Sequence, residues 1–155
     1  DSMQIIDFID FNQKRITDLG SGSGFPAIIL AILTKFKNSR SKIYLYEKSY
    51  KKCQFLKKTS KILKLNTEII QKNIHDEKDN NEMIITSRAF KPLPIVLDIV
   101  DKNFKNYTNL ILFMGKSGKK ILKETLNKWN LSYQMKESIT NKDSFILNII
   151  SAKKI

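Results

Sequence analysis

Cysteine is almost missing from this 155-residue chain, where Cys53 stands alone. A single thiol can close no internal disulfide and build no multi-cysteine metal site, a usage that agrees with a reducing cytosol. Cys53 therefore reads as a packing or surface residue. Histidine is as scarce: His75 lies in the polar loop "HDEKDNNE" at 75–82, beside Asp76 and Glu77, with no further ligands at coordinating spacing, and no metal is expected. No apolar run approaches the ~20 residues that span a bilayer. The start, "DSMQIIDFIDF", is acidic and amphipathic, with Ile5, Ile6, Phe8 and Ile9 at helical spacing, unlike the basic start of an export signal. A cytoplasmic protein with no membrane attachment is expected.

Negative charge is also in short supply. Against 28 basic residues stand 15 acidic ones, giving +13 and a sequence pI near 9.8, a balance that favours a polyanionic partner such as RNA or DNA. All but three of the basic residues are lysines, and Ile and Asn are abundant, as an A/T-rich genome would also produce. The charge alone does not name the partner. The three arginines, Arg15, Arg40 and Arg88, are individually more informative, because lysine replaces a planar bidentate fork poorly.

What is present is an alternation of short β-branched runs with longer helical patterns. "RITDL" (15–19), "KIYLYE" (42–47), "TEIIQ" (67–71), "EMIITS" (82–87) and "NLILFM" (109–114) read as strands. Helices are expected to about residue 36, over 48–65, from Pro92 to about Phe104, and through Trp129. Crossover helices imply a mostly parallel sheet covered on both faces. The end differs. "LSYQMKES" (131–138) and "SFILNIIS" (144–151) are separated only by "ITNKD", too short for a crossover, so they must pair antiparallel. The length fits one domain over 1–155, and the uncapped opening helix suggests that further residues precede Asp1 in the native protein.

Three of the five glycines fall within "DLGSGSGFPA" (18–27), between the first strand and its helix. A dinucleotide loop requires G-x-G-x-x-G, and its third position here is Phe25. Glycines at Gly20, Gly22 and Gly24, two residues after Asp18, make a tighter bend whose backbone can approach a ligand without a pyrophosphate. "YLYE" then ends the second strand on Glu47, where a carboxylate can accept both hydroxyls of a ribose. The combination fits S-adenosylmethionine better than NAD. "GKSGKK" (115–120) is not a phosphate-binding loop, since Leu110 stands where the pattern needs glycine.

"DSMQIIDFID", "ITDLGSGSGFPAIILAI", "YLYEKSYKKCQFLKK", "ITSRAF", a lysine after the fifth strand at Lys116 and a final "KKI" together resemble the bacterial small-subunit ribosomal RNA guanine-N7 methyltransferase family, also called glucose-inhibited division protein B. The resemblance runs in order over essentially the whole chain. It implies a Rossmann-like class I S-adenosylmethionine-dependent methyltransferase with a mostly parallel seven-stranded sheet and an antiparallel C-terminal hairpin. It also implies cofactor contacts at Gly20, Phe25, Ile74, His75 and Arg88, which Asp18, Gly22, Gly24 and Glu47 join on the physical grounds above. The family usually has an acidic residue where His75 stands, and glycine where Ala27 and Ser117 stand. Its members carry an additional N-terminal helical segment.

Guanine N7 has an in-plane lone pair and no proton, so it can attack a sulfonium methyl without a general base. No catalytic residue is assigned. N7 faces the deep major groove of A-form RNA, so the target base must be unpaired or flipped out. Phe90 is the candidate to stack on it. Lys91, Lys116, Lys119 and Lys120 follow the fourth and fifth strands, on the edge where α/β folds bind ligands, and are expected to meet RNA phosphate. The lysines of helix 48–65 read as a solvated face. The expected partner is small-subunit ribosomal RNA or the ribosomal particle, engaged by a monomer. Alternatives are a methyltransferase of the same fold acting on a small molecule or protein, an inactive RNA-binding relative, and, weakest, a nicotinamide dehydrogenase.

Overall fold

A computed structural model describes residues 2–155. Seven strands form one sheet: β1 (Arg15–Leu19), β2 (Lys42–Glu47), β3 (Thr67–Gln71), β4 (Met83–Arg88), β5 (Tyr107–Met114), β6 (Trp129–Glu137) and β7 (Phe145–Lys154). Their spatial order is β3-β2-β1-β4-β5-β7-β6. The first five are parallel, and β7 pairs antiparallel with both β5 and β6. The strand order reverses between β1 and β4. There the connections leave in opposite directions and open a crevice at the strand tips.

Four helices cover the sheet: α1 (Ala27–Phe36), α2 (Tyr50–Leu63), α3 (Leu93–Asn103) and α4 (Gly118–Thr125). Alternation along each strand assigns them to faces. Ile16, Ile43, Leu45 and Ile84 point to one side, where Leu30 and Ala31 of α1 and Leu56 of α2 cover them. Leu19, Tyr46, Met83 and Ile85 point to the other, against Val96, Leu97 and Val100 of α3 and Leu122 of α4. Local signals set the helix ends. Ser49 caps α2 by accepting from the Lys52 N–H, Pro92 precedes α3, and α2 stops where Lys64 turns left-handed at φ 51°.

Two helices differ most from the sequence reading. The opening segment forms only a short 3₁₀ helix, Gln4–Phe8, because Ile9 is extended and Asp10 starts an Asx turn to Asn12. Ile5 and Ile9 are still buried against the α1 face, and Asp1 lies outside the described residues. The helix expected through Trp129 ends at Thr125. Trp129 instead opens β6 opposite Lys154, since β7 runs far enough to give it a partner and its ring fills the α3–α4 core. Among the described residues no helix is long and apolar enough to cross a membrane.

Candidate active site

The glycine turn leaves β1 at the crevice. Its Gly20 and Ser21 N–H groups both donate to the Tyr46 carbonyl of β2 at 3.0 Å, and its Gly22 N–H donates to Glu47 Oε2 at 3.0 Å. Glu47 Oε1 accepts from the Ser49 N–H at 2.8 Å. One buried carboxylate thus ties the turn to the tip of β2 and to the start of α2, and each oxygen keeps a second lone pair for a ligand hydroxyl.

The three glycines do different work. Gly22 has φ 55°, and a Cβ built there would meet only the Gly20 carbonyl oxygen, at 3.7 Å, so its open side is cavity. Gly20, at φ 69°, lies under the Phe90 ring, which an added Cβ would strike at 2.2 Å. Gly24, at φ 95°, faces away from the crevice, where a Cβ would meet Ile28 at 2.6 Å and Leu56 at 3.0 Å. It is a packing glycine between α1 and α2, not the ligand contact expected from its place in the motif.

Above the turn lies a cavity of about 740 Å³. Gly20, Gly22, Phe25, Glu47, Ile74, His75 and Arg88 line it, as do Phe90 and Lys91. Phe25 is an exposed aromatic on one wall. Ile74 and His75 sit on a 3₁₀ turn, Ile74–Asp76, fastened by a group the sequence reading overlooked: the Asn103 amide at the end of α3 donates to the carbonyls of Ile74 (3.0 Å), His75 (3.1 Å) and Glu77 (2.6 Å). Arg88 is exposed at the tip of β4, and its side chain has no hydrogen bond or ion pair among the described residues. Its guanidinium lies 5.7 Å from the Phe113 ring centroid. Ala89 takes φ 50°, turning the chain so that Arg88 and Phe90 both reach the crevice.

Asp18 is not on the wall. It is buried beneath the turn, where Oδ1 accepts from the Thr86 hydroxyl at 2.7 Å and Oδ2 has no partner. Burial outweighs that hydrogen bond and pushes its carboxyl up to about 6. Cys53 is a packing thiol: buried, it donates to the Glu47 carbonyl, and burial raises its pKa.

Charge at the mouth is lopsided. Among the described residues, Lys48, Lys52, Lys72, Lys91 and Arg88 line the cavity with Glu47 as the one carboxylate, and Lys72 alone of these cations is ion-paired, to Glu77 at 3.3 Å. Lys48 and Lys52 belong to the stretch read as a solvated face. Their position just after the β2 tip was the signal that should have separated them from Lys57 and Lys61 further along. Lys116, Lys119 and Lys120 sit after β5, exposed and away from this cavity, with Lys120 4.0 Å from Glu124.

A family model described as rRNA small subunit methyltransferase G matches residues 1–150. The chain belongs to that family. A Pelagibacter ubique protein named ribosomal RNA small subunit methyltransferase G is 53% identical over 99% of this chain and 72% of its own length. A Rickettsia bellii protein of the same name is 37% identical over 100% of this chain and 77% of its own. Among solved structures, a SAM-dependent methyltransferase from Aquifex aeolicus superposes with a TM-score of 0.68 at 15% identity, covering 97% of this chain and 90% of that one. TrmK of M. capricolum, in complex with S-adenosylhomocysteine, gives 0.63 at 15% identity over 96% and 66%. The fold is the Rossmann-like fold of class I S-adenosylmethionine-dependent methyltransferases, and membership of the family makes the chain a methyltransferase rather than a dehydrogenase.

The cavity suits that cofactor on its own geometry. Gly22 leaves a backbone cradle that any Cβ would occupy, Glu47 offers acceptors at a strand tip, Phe25 and Ile74 offer apolar surface, and Arg88 is a guanidinium without a carboxylate partner.

Proposed function

We propose that residues 1–155 act as one monomeric, cytoplasmic methyltransferase domain that methylates N7 of a guanine in small-subunit ribosomal RNA. The observation that carries this reading is the open glycine cradle at the β1–β4 reversal, locked to Glu47, in a chain of this family. Glu47 would accept the ribose hydroxyls, Phe25, Ile74 and the His75 backbone would flank the adenine, and Arg88 would take the carboxylate. When bound, S-adenosylmethionine supplies an electrophilic methyl whose bond pair leaves with sulfur. Guanine N7 would bond to that methyl with its existing lone pair as sulfur leaves, and would acquire the positive charge.

No side chain need take a proton. Glu47 is engaged by two backbone N–H groups, and the Asp18 carboxylate is buried under the turn, so neither is placed as a base for a substrate. The chain contributes position: a turn tied to β2 and a 3₁₀ segment tied to α3 hold one reactant in line, for which effective molarities of ~10⁵ M or more are available. The cationic mouth and Lys116, Lys119 and Lys120 on the same sheet edge would draw RNA phosphates to it. Incubation with methyl-labelled S-adenosylmethionine and unmodified small-subunit RNA, free or assembled into particles, tests the reading. Label should enter one or both small-subunit forms and not large-subunit RNA. Label in neither form, or in large-subunit RNA as readily, contradicts it.

A further inference from the structure

The large cavity has a smaller neighbour. A second cavity, of about 260 Å³, lies over the tips of β4 and β5 and the start of β7, and Arg88 and Ala89 line both spaces. Along the sheet edge the large cavity sits over β2, β1 and β4, while the small one begins at β4 and continues outward. A methyl acceptor has to reach the donor from a space that shares a wall with the donor's cavity.

We propose that this second cavity receives the target guanine, with Phe113 and Gly115 forming its seat; this rests on the methyltransferase reading above. Its walls suit a flat, uncharged heterocycle. Phe113, Met114, Phe145 and Ile146 are apolar, and Arg88 is the one charged residue lining it. Its volume falls below the ~300–1,000 Å³ typical of ligand pockets, which favours a base over a complete nucleotide. The shared Arg88–Ala89 wall orients the base: N7 faces it, so the N1 and N2 edge faces the β6–β7 turn, where Ser144 lines the cavity and the Ser138 hydroxyl is taken up by the Thr140 and Asn141 N–H groups. The Ser144 hydroxyl can donate to O6 or accept from N1 or N2, as reading a flipped base requires. That turn is held firmly. The Ser138 N–H donates to the Ser144 carbonyl at 2.9 Å, and the buried Gln4 side chain bonds the Glu137 carbonyl (3.1 Å) and the Ile139 N–H (2.9 Å). Phe90, the stacking candidate from sequence, lines only the larger cavity and packs on Gly20.

Gly115 allows a clean test, because a Cβ added there meets no atom within 4 Å and its φ is not left-handed. Gly115→Leu should fill the cavity without disturbing the fold. S-adenosylhomocysteine affinity, by calorimetry, should stay within about twofold, while kcat for methyl transfer to small-subunit RNA or particles falls at least tenfold and falls less in Gly115→Ala, which fills less of the space. Phe113→Leu should also lose kcat at unchanged cofactor affinity. Parental kcat in Gly115→Leu, or loss of cofactor affinity in step with kcat, overturns the assignment. A second readout needs no turnover. With methyl-labelled methionine and S-adenosylhomocysteine present, guanosine 5′-monophosphate should shift the Met114 signal and leave Met83 unmoved, and adenosine 5′-monophosphate should do so more weakly. An unmoved Met114 signal refutes the pocket even in an active enzyme. A parent inert toward small-subunit RNA and particles would instead contradict the proposed function, and the Met114 signal would still decide the pocket.

Discussion

Replacing Asp18 by asparagine should make the protein more stable and worse at its work. The Asp18 carboxyl titrates near 3.8 when solvated and is pushed up to about 6 by burial, with Oδ2 unpartnered. The folded state therefore keeps this proton to a higher pH than the unfolded chain does. Its contribution to stability is complete below pH 4 and is lost as pH rises through 6. A difference of about two pH units at about 1.4 kcal/mol each places the loss at roughly 3 kcal/mol by pH 8. Asparagine has the shape of the protonated acid, keeps the oxygen that accepts from Thr86, and never ionises. In urea titrations the variant should match the parent near pH 4 and exceed it by up to roughly 3 kcal/mol at pH 8, or about 6–12 °C in Tm for a domain of this size. Cofactor affinity should fall, because a negative charge kept at such a cost beneath the turn complements a cationic ligand. An Asp18→Asn variant that is less stable than the parent at pH 8, or whose advantage is as large at pH 4, would refute the reasoning.

Gly22→Ala places a methyl on the open face of the cradle; isothermal calorimetry should show at least a tenfold loss of S-adenosylmethionine affinity, with a stability cost of about 1 kcal/mol from φ 55°. Gly24→Ala should do the reverse, because its methyl meets Ile28 at 2.6 Å: thermal denaturation should show the overpacking loss of about 1–3 kcal/mol, with cofactor affinity kept in the folded fraction. Glu47→Gln leaves one of two backbone N–H donors facing an amide NH₂, so affinity should drop at least tenfold along with about 1–3 kcal/mol of stability. Replacing Lys119 and Lys120 together by alanine should flatten the slope of log RNA affinity against log salt by up to roughly two units, with cofactor binding unchanged; a parental slope would make them plain surface charge.

The sheet was legible because period-2 runs and a five-residue C-terminal turn leave few pairings. Strand edges moved by one to three residues, and α4 was overextended because nothing local in "TLNKWN" marks where β7 will offer Trp129 a partner. A cavity beside the glycine turn and Glu47 was legible in outline from those residues. The roles of the individual glycines were not. Gly22 and Gly24 look alike in sequence, yet one faces empty space and the other the side chains of α1 and α2, a distinction that exists only once the helices are packed. Asn103 was invisible for a similar reason: it acts on Ile74 and His75 from 28 or 29 residues away. Lys48 and Lys52 were hidden by the lysines around them, and Phe90, read as the residue to stack on the base, lines the crevice with its ring against Gly20.

Identifying the methylated nucleoside tests the central claim most directly. Small-subunit RNA, free and in particles, is incubated with the protein and S-adenosylmethionine, digested to nucleosides and analysed by mass spectrometry. The account predicts 7-methylguanosine, at no more than one per RNA. Methyl on another nucleoside, on a ribosomal protein, or on nothing at all would contradict it.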